Sequence, residues 1–276
     1  MDRIRLIASD MDATLLDEQS QLPAGFEETI HALAELGIRF APASGRPLYT
    51  LEAMFPTLQD ELVFIGDNGG AIRWKGQNLF TSEMSPEGWR ALNRLTREQG
   101  DIAVLCGLES AYVERPFAVH DAVLRHFYTK IEYVDRLEDV AAPADKFTIY
   151  LPQHNAQQAY DTVYASQRSI YSVAVAGECW VDIMNPGVHK GAALQTLGQL
   201  WGLPSESIMA FGDTYNDAEM LQTVRYGFLM DNGSKPLRQK VPFLAPSHRE
   251  AGVMQVLHRV LAQNGCVCPE DFVPAH

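Results

Sequence analysis

Short apolar stretches alternate with helix-forming stretches at both ends of this chain, and this alternation restricts the fold more than any other feature of the sequence. Near the amino terminus, apolar stretches at residues 4–8 and 38–43 flank a segment in which apolar residues recur at helical spacing. The same order returns later, where a helix predicted at 190–201 precedes strands predicted at 208–211 and 226–230. Alternating strands and helices predict an α/β protein with a Rossmann-like parallel-sheet core.

The middle of the chain has a different pattern. After a hairpin predicted at residues 69–80, helices and short strands follow one another in mixed order until an Asn-Pro-Gly sequence at 185–187 interrupts them. Because 276 residues suffice for two domains of ordinary size, we predict an α+β domain inserted into the first domain. The expected boundaries give core segments at 1–82 and 185–276 and an inserted domain at 83–184.

The charge of the chain limits its partners. The sequence contains 22 lysine and arginine residues against 35 aspartate and glutamate residues, a formal net charge of −13. A field of this sign disfavours nucleic acids and anionic membranes, whereas a small anionic substrate can bind where a cation and local donors offset the charge. No apolar run is long enough to span a bilayer, and the amino-terminal residues lack the apolar core of a signal peptide. We therefore expect a cytoplasmic protein, and the sequence leaves its oligomeric state open.

Two carboxylates follow the first predicted strand directly. Asp10 and Asp12 therefore lie at the carboxyl edge of a parallel sheet, where open α/β proteins place their ligands. Two like charges this close are unfavourable unless a cation binds or one carboxyl keeps its proton, and a nucleophile paired with an acid meets that condition. Taken alone, such a pair is more typical of a surface turn or a helix cap.

Ser44, Gly45 and Arg46 follow the second predicted strand and precede a predicted helix. A hydroxyl and backbone N–H groups in this position can bind a phosphate. The alternative is an ordinary helix cap, with Pro47 in the first turn of the helix.

Two further stretches carry charged residues at the ends of predicted elements. Lys190 begins a helix, where a cation meets the positive end of the helix dipole at a cost of about 0.3–1 kcal/mol. Folding gives little reason for a lysine there, although a solvated side chain that stretches outward is the alternative. Asp213 and Asp217 follow another predicted strand beside Gly212, and they offer the oxygen ligands that magnesium prefers. Asp217 is also compatible with a simple helix start.

The conjunction of these stretches is more specific than any one of them. The segments DMDATLL, SGR, HKG and GDTYND occur in this order and resemble the four motifs of the haloacid dehalogenase-like superfamily. A cap domain inserted between the second and third motifs, with Asn68 and Gly69 just before it, resembles the Cof-like, type IIB branch. One departure is Ala13, where the family usually has glycine in this turn, so the local backbone must tolerate a Cβ atom.

The resemblance implies a magnesium-dependent phosphatase that acts on a small phosphorylated metabolite, such as a sugar phosphate or a similar monoester. The residue matching Asp10 attacks phosphorus, and the residue matching Asp12 protonates the leaving oxygen and then activates water. Lys190 offsets charge on the nucleophile and the phosphate. By the same resemblance the phosphate-binding residues are Ser44, Gly45, Arg46, Lys190 and Asn216. The magnesium site is formed by Asp10, Asp12, Asp213 and Asp217, with Asp12 contributing its backbone carbonyl and Asp217 orienting bound water.

The sequence leaves one other function open and disfavours two more. A phosphomutase on the same fold would use the same Asp10 intermediate and return the phosphoryl group to a sugar. A noncatalytic phosphometabolite-binding protein is disfavoured because Asp10, Asp12, Lys190 and Asp213 are all intact. A nicotinamide oxidoreductase is disfavoured because no G-x-G-x-x-G sequence follows the first strand. The motif residues all lie outside the inserted domain, so we expect that domain to select the substrate.

Overall fold

The computed structural model describes all 276 residues, and the chain forms two compact units. The first unit contains residues 1–45, 55–79 and 189–276, and the second contains residues 46–54 and 80–188. The strands are, in chain order, β1 Asp2–Arg3, β2 Leu6–Asp10, β3 Arg39–Ala43, β4 Val63–Gly66, β5 Ala71–Trp74, β6 Gln77–Thr81, β7 Ile102–Gly107, β8 Ala111–Glu114, β9 Ile131–Val134, β10 Ala144–Tyr150, β11 Ser172–Val175, β12 Trp180–Met184, β13 Ile208–Gly212, β14 Tyr226–Met230, β15 Phe243–Ala245, β16 Cys266–Val267 and β17 Val273–Pro274.

The chain contains eight α-helices. They are α1 Phe26–Glu35, α2 Leu48–Ala53, α3 Pro86–Gln99, α4 Asp121–Phe127, α5 Ala156–Thr162, α6 Lys190–Trp201, α7 Ala218–Gln222 and α8 Gly252–Ala262. The start of α3 is capped by Ser85, whose hydroxyl accepts from Gly88 N at 3.1 Å, and Gly100 ends the helix in a left-handed conformation. None of the helices combines the length and the apolar character needed to cross a bilayer.

A nine-stranded sheet forms the centre of the first unit, in the order β17-β15-β14-β13-β2-β3-β4-β5-β6. The strands from β15 to β4 in this order are mutually parallel, whereas β17 and β5 pair antiparallel with their neighbours. Every residue of β2 and β13 is buried, as expected for central strands covered on both faces. The predicted Rossmann-like parallel-sheet core is confirmed.

The strand order determines which residues meet at one edge of this sheet. Strand β2 lies between β3 and β13, with Ala8 beside Ala41 on one side and Ala210 on the other. Because the three strands are parallel, their carboxyl ends reach the same edge. Asp10 ends β2, and the residues that follow β3 and β13 are therefore its neighbours in space.

A six-stranded sheet forms the centre of the second unit, in the order β11-β12-β10-β7-β8-β9. The pairings are antiparallel apart from the parallel pair β8 and β9. Side chains alternate between the two faces: Leu105 and Phe147 pack with Trp89 on one face, and Val104 packs with Leu124 on the other. The mixed α+β architecture predicted for the insert is confirmed.

The second unit also contains a segment that the sequence did not indicate. Residues 46–54, which include α2, group with it, because Thr129 N donates to Thr50 Oγ1 at 3.1 Å and the two hydroxyl groups lie 3.2 Å apart. The ends of the long segment lie at residues 80 and 188, compared with the expected 83 and 184.

The carboxyl-terminal region differs from the sequence-based expectations. Ser247 and Glu250 have the spacing of a capping box, which predicts from the sequence that the last helix begins at Ser247. In the structure Ser247 caps a short 3₁₀ turn instead, and α8 begins at Gly252, after Ala251 has adopted a left-handed conformation. The segment around Cys266 and Cys268, which has no second cysteine cluster nearby with which to form a metal site, is predicted from the sequence to be a loose tail. It forms a two-stranded pairing in which Cys266 lies opposite Arg3, and a pairing this short leaves no periodic signal in the sequence.

Candidate active site

Lys190, the first residue of α6, links two of the carboxylates of the candidate site. Its side chain is fully buried, and its Nζ atom donates hydrogen bonds to Asp10 Oδ1 and, at 2.7 Å, to Asp217 Oδ1. The alternative of a solvated lysine that stretches outward is therefore wrong. A buried ammonium group requires such partners, because leaving the charge unpaired in the interior is strongly unfavourable.

The charges of this cluster shift the pKa values of its members. Burial alone lowers the pKa of Lys190, but the adjacent Asp10 and Asp217 carboxylates raise it above its usual value. Burial raises the pKa of Asp10 to about 7, with Lys190 acting in the opposite direction and Asp217 adding to the rise. The pKa of Asp213 is raised to about 6 by burial and by the Asp217 charge. Lys190 is thus charged at neutral pH, while the raised pKa values of Asp10 and Asp213 mean that these two groups lose their protons at a higher pH than ordinary aspartates.

Asp217 is held firmly by the loop in which it lies. Its Oδ2 atom accepts from Asp213 N at 3.0 Å and from Thr214 N at 3.2 Å, while Oδ1 accepts from Lys190. A Cβ atom on Gly212 would lie only 2.4 Å from the Asp217 Cβ atom, so the close approach of this side chain depends on glycine. Both oxygens of Asp217 therefore accept hydrogen bonds, one from Lys190 and the other from the loop backbone.

Three carboxylates meet at this edge of the sheet. Oxygen atoms of Asp10, Asp213 and Asp217 lie within 4.8 Å of one another, and Lys190 is paired with Asp10 and Asp217. Three buried acids around one base leave an excess of negative charge, and a divalent cation bound by oxygen atoms relieves it. The donor set therefore fits magnesium, with Asp10 and Asp213 offering oxygens that Lys190 does not occupy.

Asp12 differs from the other predicted acids. Its carboxylate is exposed and is not one of the three that cluster. Its backbone is extended, with φ −74° and ψ 132°, and the next residue, Ala13, adopts a left-handed conformation with φ 57°. This is the backbone geometry that favours glycine, and the turn tolerates the Ala13 Cβ atom in it.

One residue that supports this turn gave no signal in the sequence. Asn232 Nδ2 donates to Ala13 O at 2.8 Å, and Asn232 Oδ1 accepts from His248 N at 3.0 Å. The asparagine therefore links the turn after β2 to the start of the 3₁₀ turn His248–Glu250. Neither the spacing of Asn232 nor its neighbours in the chain indicates this contact.

Ser44 and Gly45 lie at the same sheet edge, after β3. Ser44 is 3% exposed, and its backbone N donates to Ile65 O at 2.9 Å. The helix that follows begins at Leu48 with Pro47 as its cap residue and without a capping side chain, so Ser44 does not serve as an ordinary helix cap. Arg46 belongs to the second unit.

Asn216 lies in the exposed turn between Asp213 and Asp217. Its Oδ1 atom accepts from Thr214 Oγ1 at 2.5 Å, and the neighbouring Tyr215 is 59% exposed. The turn is therefore fixed at its base by Asp217, while Asn216 stays accessible to a ligand.

Comparisons with known proteins identify the family. The family model for haloacid dehalogenase-like hydrolases matches residues 7–257. A 5-amino-6-(5-phospho-D-ribitylamino)uracil phosphatase of Escherichia coli is 31% identical over 262 residues, which cover 94% of this chain and 96% of that protein. An HMP-PP phosphatase of Cronobacter sakazakii is 31% identical over 249 residues, which cover 87% of this chain and 89% of that protein.

Solved structures have the same fold. A crystal structure of a Streptococcus mutans protein matches with a TM-score of 0.84 and 28% identity, covering 94% of this chain and 99% of that one. A HAD/COF-like hydrolase of Plasmodium vivax also reaches a TM-score of 0.84, at 18% identity, and covers 95% of this chain and 97% of that one. The chain therefore belongs to the haloacid dehalogenase-like hydrolase family, and it resembles named phosphatases over most of its length.

Proposed function

We propose that this enzyme is a magnesium-dependent phosphatase that hydrolyses a phosphate monoester of a small metabolite through a covalent intermediate on Asp10. The observation that supports this most strongly is the fully buried Lys190 between Asp10 and Asp217, at the sheet edge where Asp213 also lies. A cation fixed beside a carboxylate nucleophile offsets the negative charge that an approaching phosphate adds.

The first half of the reaction transfers the phosphoryl group to the protein. A carboxylate oxygen of Asp10 forms a bond to phosphorus while the bond between phosphorus and the leaving oxygen breaks. Asp12 donates a proton to that oxygen, so the product leaves as an alcohol. Lys190 holds the other side of the Asp10 carboxylate in place, and Ser44 and Asn216 bind the phosphoryl oxygens.

The second half releases inorganic phosphate. A water molecule attacks phosphorus, Asp12 accepts its proton, and the bond between phosphorus and the Asp10 oxygen breaks. The carboxylate is thereby restored, and phosphate leaves with no net change to the protein. The exposed position of the Asp12 side chain suits a residue that exchanges protons with substrate and water.

Magnesium would be held by Asp10, Asp213 and the backbone carbonyl of Asp12, with Asp217 fixing the surrounding loop. Bound there, the ion would supply positive charge that stabilises the phosphoryl oxygens during transfer. The excess of buried carboxylates over the Lys190 ammonium group supports this assignment.

The relatives guide the choice of substrates. Both named relatives act on phosphorylated compounds, and one acts on 5-amino-6-(5-phospho-D-ribitylamino)uracil. We infer that the substrate is a monoester of this size, and the screen should include that compound, sugar phosphates, pyridoxal phosphate and flavin mononucleotide. The substrate that gives the highest kcat/KM identifies the preferred class.

The decisive experiment measures phosphate release by wild type and by Asp10→Asn. We expect the variant to fold normally and to lose at least about a thousand-fold in kcat, because the amide is a poor nucleophile. Near wild-type release by a variant free of wild-type protein would contradict the mechanism. Isomer formation from a sugar phosphate without release of inorganic phosphate would show a phosphomutase instead, and binding without turnover would show a noncatalytic binding protein.

A further inference from the structure

The turn Asp67–Gly69, which follows β4 in the first unit, has an unusual backbone. Asp67 and Asn68 both adopt left-handed conformations, with φ of 50° and 54°, and Gly69 follows with φ 98°. A Cβ atom disfavours this region, although aspartate and asparagine tolerate it better than most residues. Two such residues in succession, in a turn where Asp67 and Gly69 are buried, indicate a geometry imposed by the contacts of the turn.

One side of this turn contacts the residues after β3. Asn68 N donates a hydrogen bond to Ser44 O at 2.9 Å. A Cβ atom on Gly45 would lie 3.2 Å from Asn68 Nδ2 and 3.3 Å from Asn68 Oδ1, so the carboxamide group packs directly against the Gly45 backbone. Ser44 and Gly45 therefore cannot shift without displacing Asn68.

The other side of the turn contacts the start of α6. A Cβ atom on Gly69 would lie 2.6 Å from His189 O, and 3.2 Å from the Cβ atom of Ala193. The backbone immediately before Lys190 thus rests on Gly69, and no larger residue fits there without a shift. The turn lies between the two segments that carry Ser44 and Lys190.

We propose that Asn68 is a positioning residue, which through its turn holds Ser44 and Gly45 at the correct separation from Lys190. This inference rests on the proposed function, in which Ser44 binds the phosphoryl group and Lys190 offsets the charge beside it. Phosphate binding by several donors is strong only when their mutual distances match the ligand, so a small displacement of Ser44 weakens it. Asn68 acts through Ser44 and Gly45 and needs no contact with the substrate.

The test uses Asn68→Gly, which removes the carboxamide group and keeps the left-handed backbone accessible. Asn264→Gly is the matched control, because Asn264 also has a positive φ, of 51°, and lies exposed at the end of α8. Both substitutions replace a left-handed asparagine by glycine, so they have the same intrinsic effect on the unfolded chain.

Five quantities are measured for wild type and both variants. They are the Kd of inorganic phosphate by calorimetry with magnesium present, kcat and KM for p-nitrophenyl phosphate, the magnesium concentration that gives half-maximal activity, and the midpoint of urea unfolding. For Asn68→Gly we expect the phosphate Kd and the KM to rise about tenfold, with a smaller change in kcat and in the magnesium dependence. For Asn264→Gly we expect wild-type values. Asn68→Asp, which adds negative charge beside Gly45, should weaken phosphate binding further.

Phosphate affinity and KM that stay within a factor of two of wild type in Asn68→Gly would overturn the proposal. A loss of phosphate affinity that is accompanied by a similar weakening of magnesium activation and by a lower unfolding midpoint would also overturn the proposal, because that pattern indicates general disruption of the fold. A wild-type protein that binds phosphate without releasing it from any ester would contradict the proposed function, while the calorimetry would still decide the role of Asn68. A wild-type protein that does not bind phosphate would refute both.

Discussion

At the scale of single residues, Lys190 has the largest predicted effect. Replacing it by methionine removes the ammonium group and leaves Asp10 and Asp217 buried beside each other without a cation. Removing one partner of a buried ion pair costs about 3–5 kcal/mol of stability. We expect the metal-free variant to lose this amount in urea unfolding and to recover part of it when magnesium is added. Phosphate release should fall at least about a hundred-fold.

The control for this change is Lys75→Met, at an exposed hairpin position with Nζ 4.9 Å from the ring centre of Trp74. We expect the control to change stability by less than about 1 kcal/mol, as for an exposed cation–π contact. A Lys190→Met protein as stable as this control, with or without magnesium, would show that the buried pairs do not stabilise the fold.

A second prediction concerns Ala13. Because its φ of 57° is disfavoured by a Cβ atom, Ala13→Gly should stabilise the protein by about 1 kcal/mol, measured by urea unfolding. Activity should change by less than a factor of about three, since the backbone already adopts the geometry of the turn. Ala251→Gly is a matched comparison, because Ala251 has φ 52°. Destabilisation by Ala13→Gly alone would mean that the methyl group makes packing contacts worth more than the strain it causes.

Some residues of the candidate site could be predicted from the sequence, and others could not. Four charged residues could be identified because each stands at or just after the end of a strand or at the start of a helix, where local folding gives no reason for a charge. These residues are Asp10, Lys190, Asp213 and Asp217. Asn232 was not visible, because it reaches Ala13 across 219 positions of sequence. Contacts between loops leave no periodic pattern, so only the folded chain reveals them.

At the scale of elements, the shared edge of β2 and β13 links magnesium to pH. In the metal-free protein the pKa of Asp10 is raised to about 7 and that of Asp213 to about 6. A carboxyl group with a raised folded-state pKa holds its proton more tightly in the folded state. These groups therefore reduce stability as pH rises from about 4, the usual range of aspartate, towards 7, and they leave it unaffected below that range.

This linkage predicts that magnesium stabilises the protein more at pH 8 than at pH 5.5, because below the raised pKa values protons compete for the same oxygens. At about 100 times its Kd, a ligand that binds only the folded state adds about 2.7 kcal/mol. The measurement is the shift of the unfolding midpoint on adding magnesium at each pH. Asp213→Asn should reduce the shift at pH 8, and a shift of equal size at both pH values in wild type would contradict the linkage.

Elements with a clear hydrophobic pattern in the sequence were predicted well, and elements without such a pattern were not. The bounds of α6 and β14 agree with the sequence-based expectation, since helical spacing of apolar residues and a short continuous apolar run are clear signals. The start of α8 was misplaced, because Ser247 and Glu250 have capping-box spacing while the chain uses Ser247 for a separate 3₁₀ turn. Local spacing cannot distinguish a cap on a short turn from a cap on a helix.

At the scale of the whole molecule, each unit has a hydrophobic core of its own. The second unit buries Trp89, Leu105 and Phe147 on one face of its sheet and Leu124 on the other. The motif residues Asp10, Ser44, Lys190 and Asp213 belong to the first unit, and Arg46 belongs to the second. A unit with its own core can be exchanged as a whole, and this division makes the roles of the two units separable by experiment.

The last prediction is that substrate preference follows the second unit. Residues 80–188 of this chain are exchanged, together with 46–54, for the matching segments of the Escherichia coli phosphatase. Including 46–54 matters, because Thr50 bonds to Thr129 within this unit and an exchange of 80–188 alone breaks that contact. We expect the preference for that relative's substrate over p-nitrophenyl phosphate, as a ratio of kcat/KM, to rise at least about tenfold, the effect of roughly 1.4 kcal/mol in differential binding.

Two controls make this exchange interpretable. Asp10→Asn in the chimera should abolish phosphate release, since the chemistry is assigned to the first unit, and an unfolding curve with a single midpoint near that of wild type should show that the chimera is folded. A folded, active chimera whose order of preference among the esters stays that of the original chain would place the selection of the substrate in the first unit. The residues that select it would then have to be sought near the exposed turn at Tyr215 and Asn216, where the first unit offers accessible side chains beside its carboxylates.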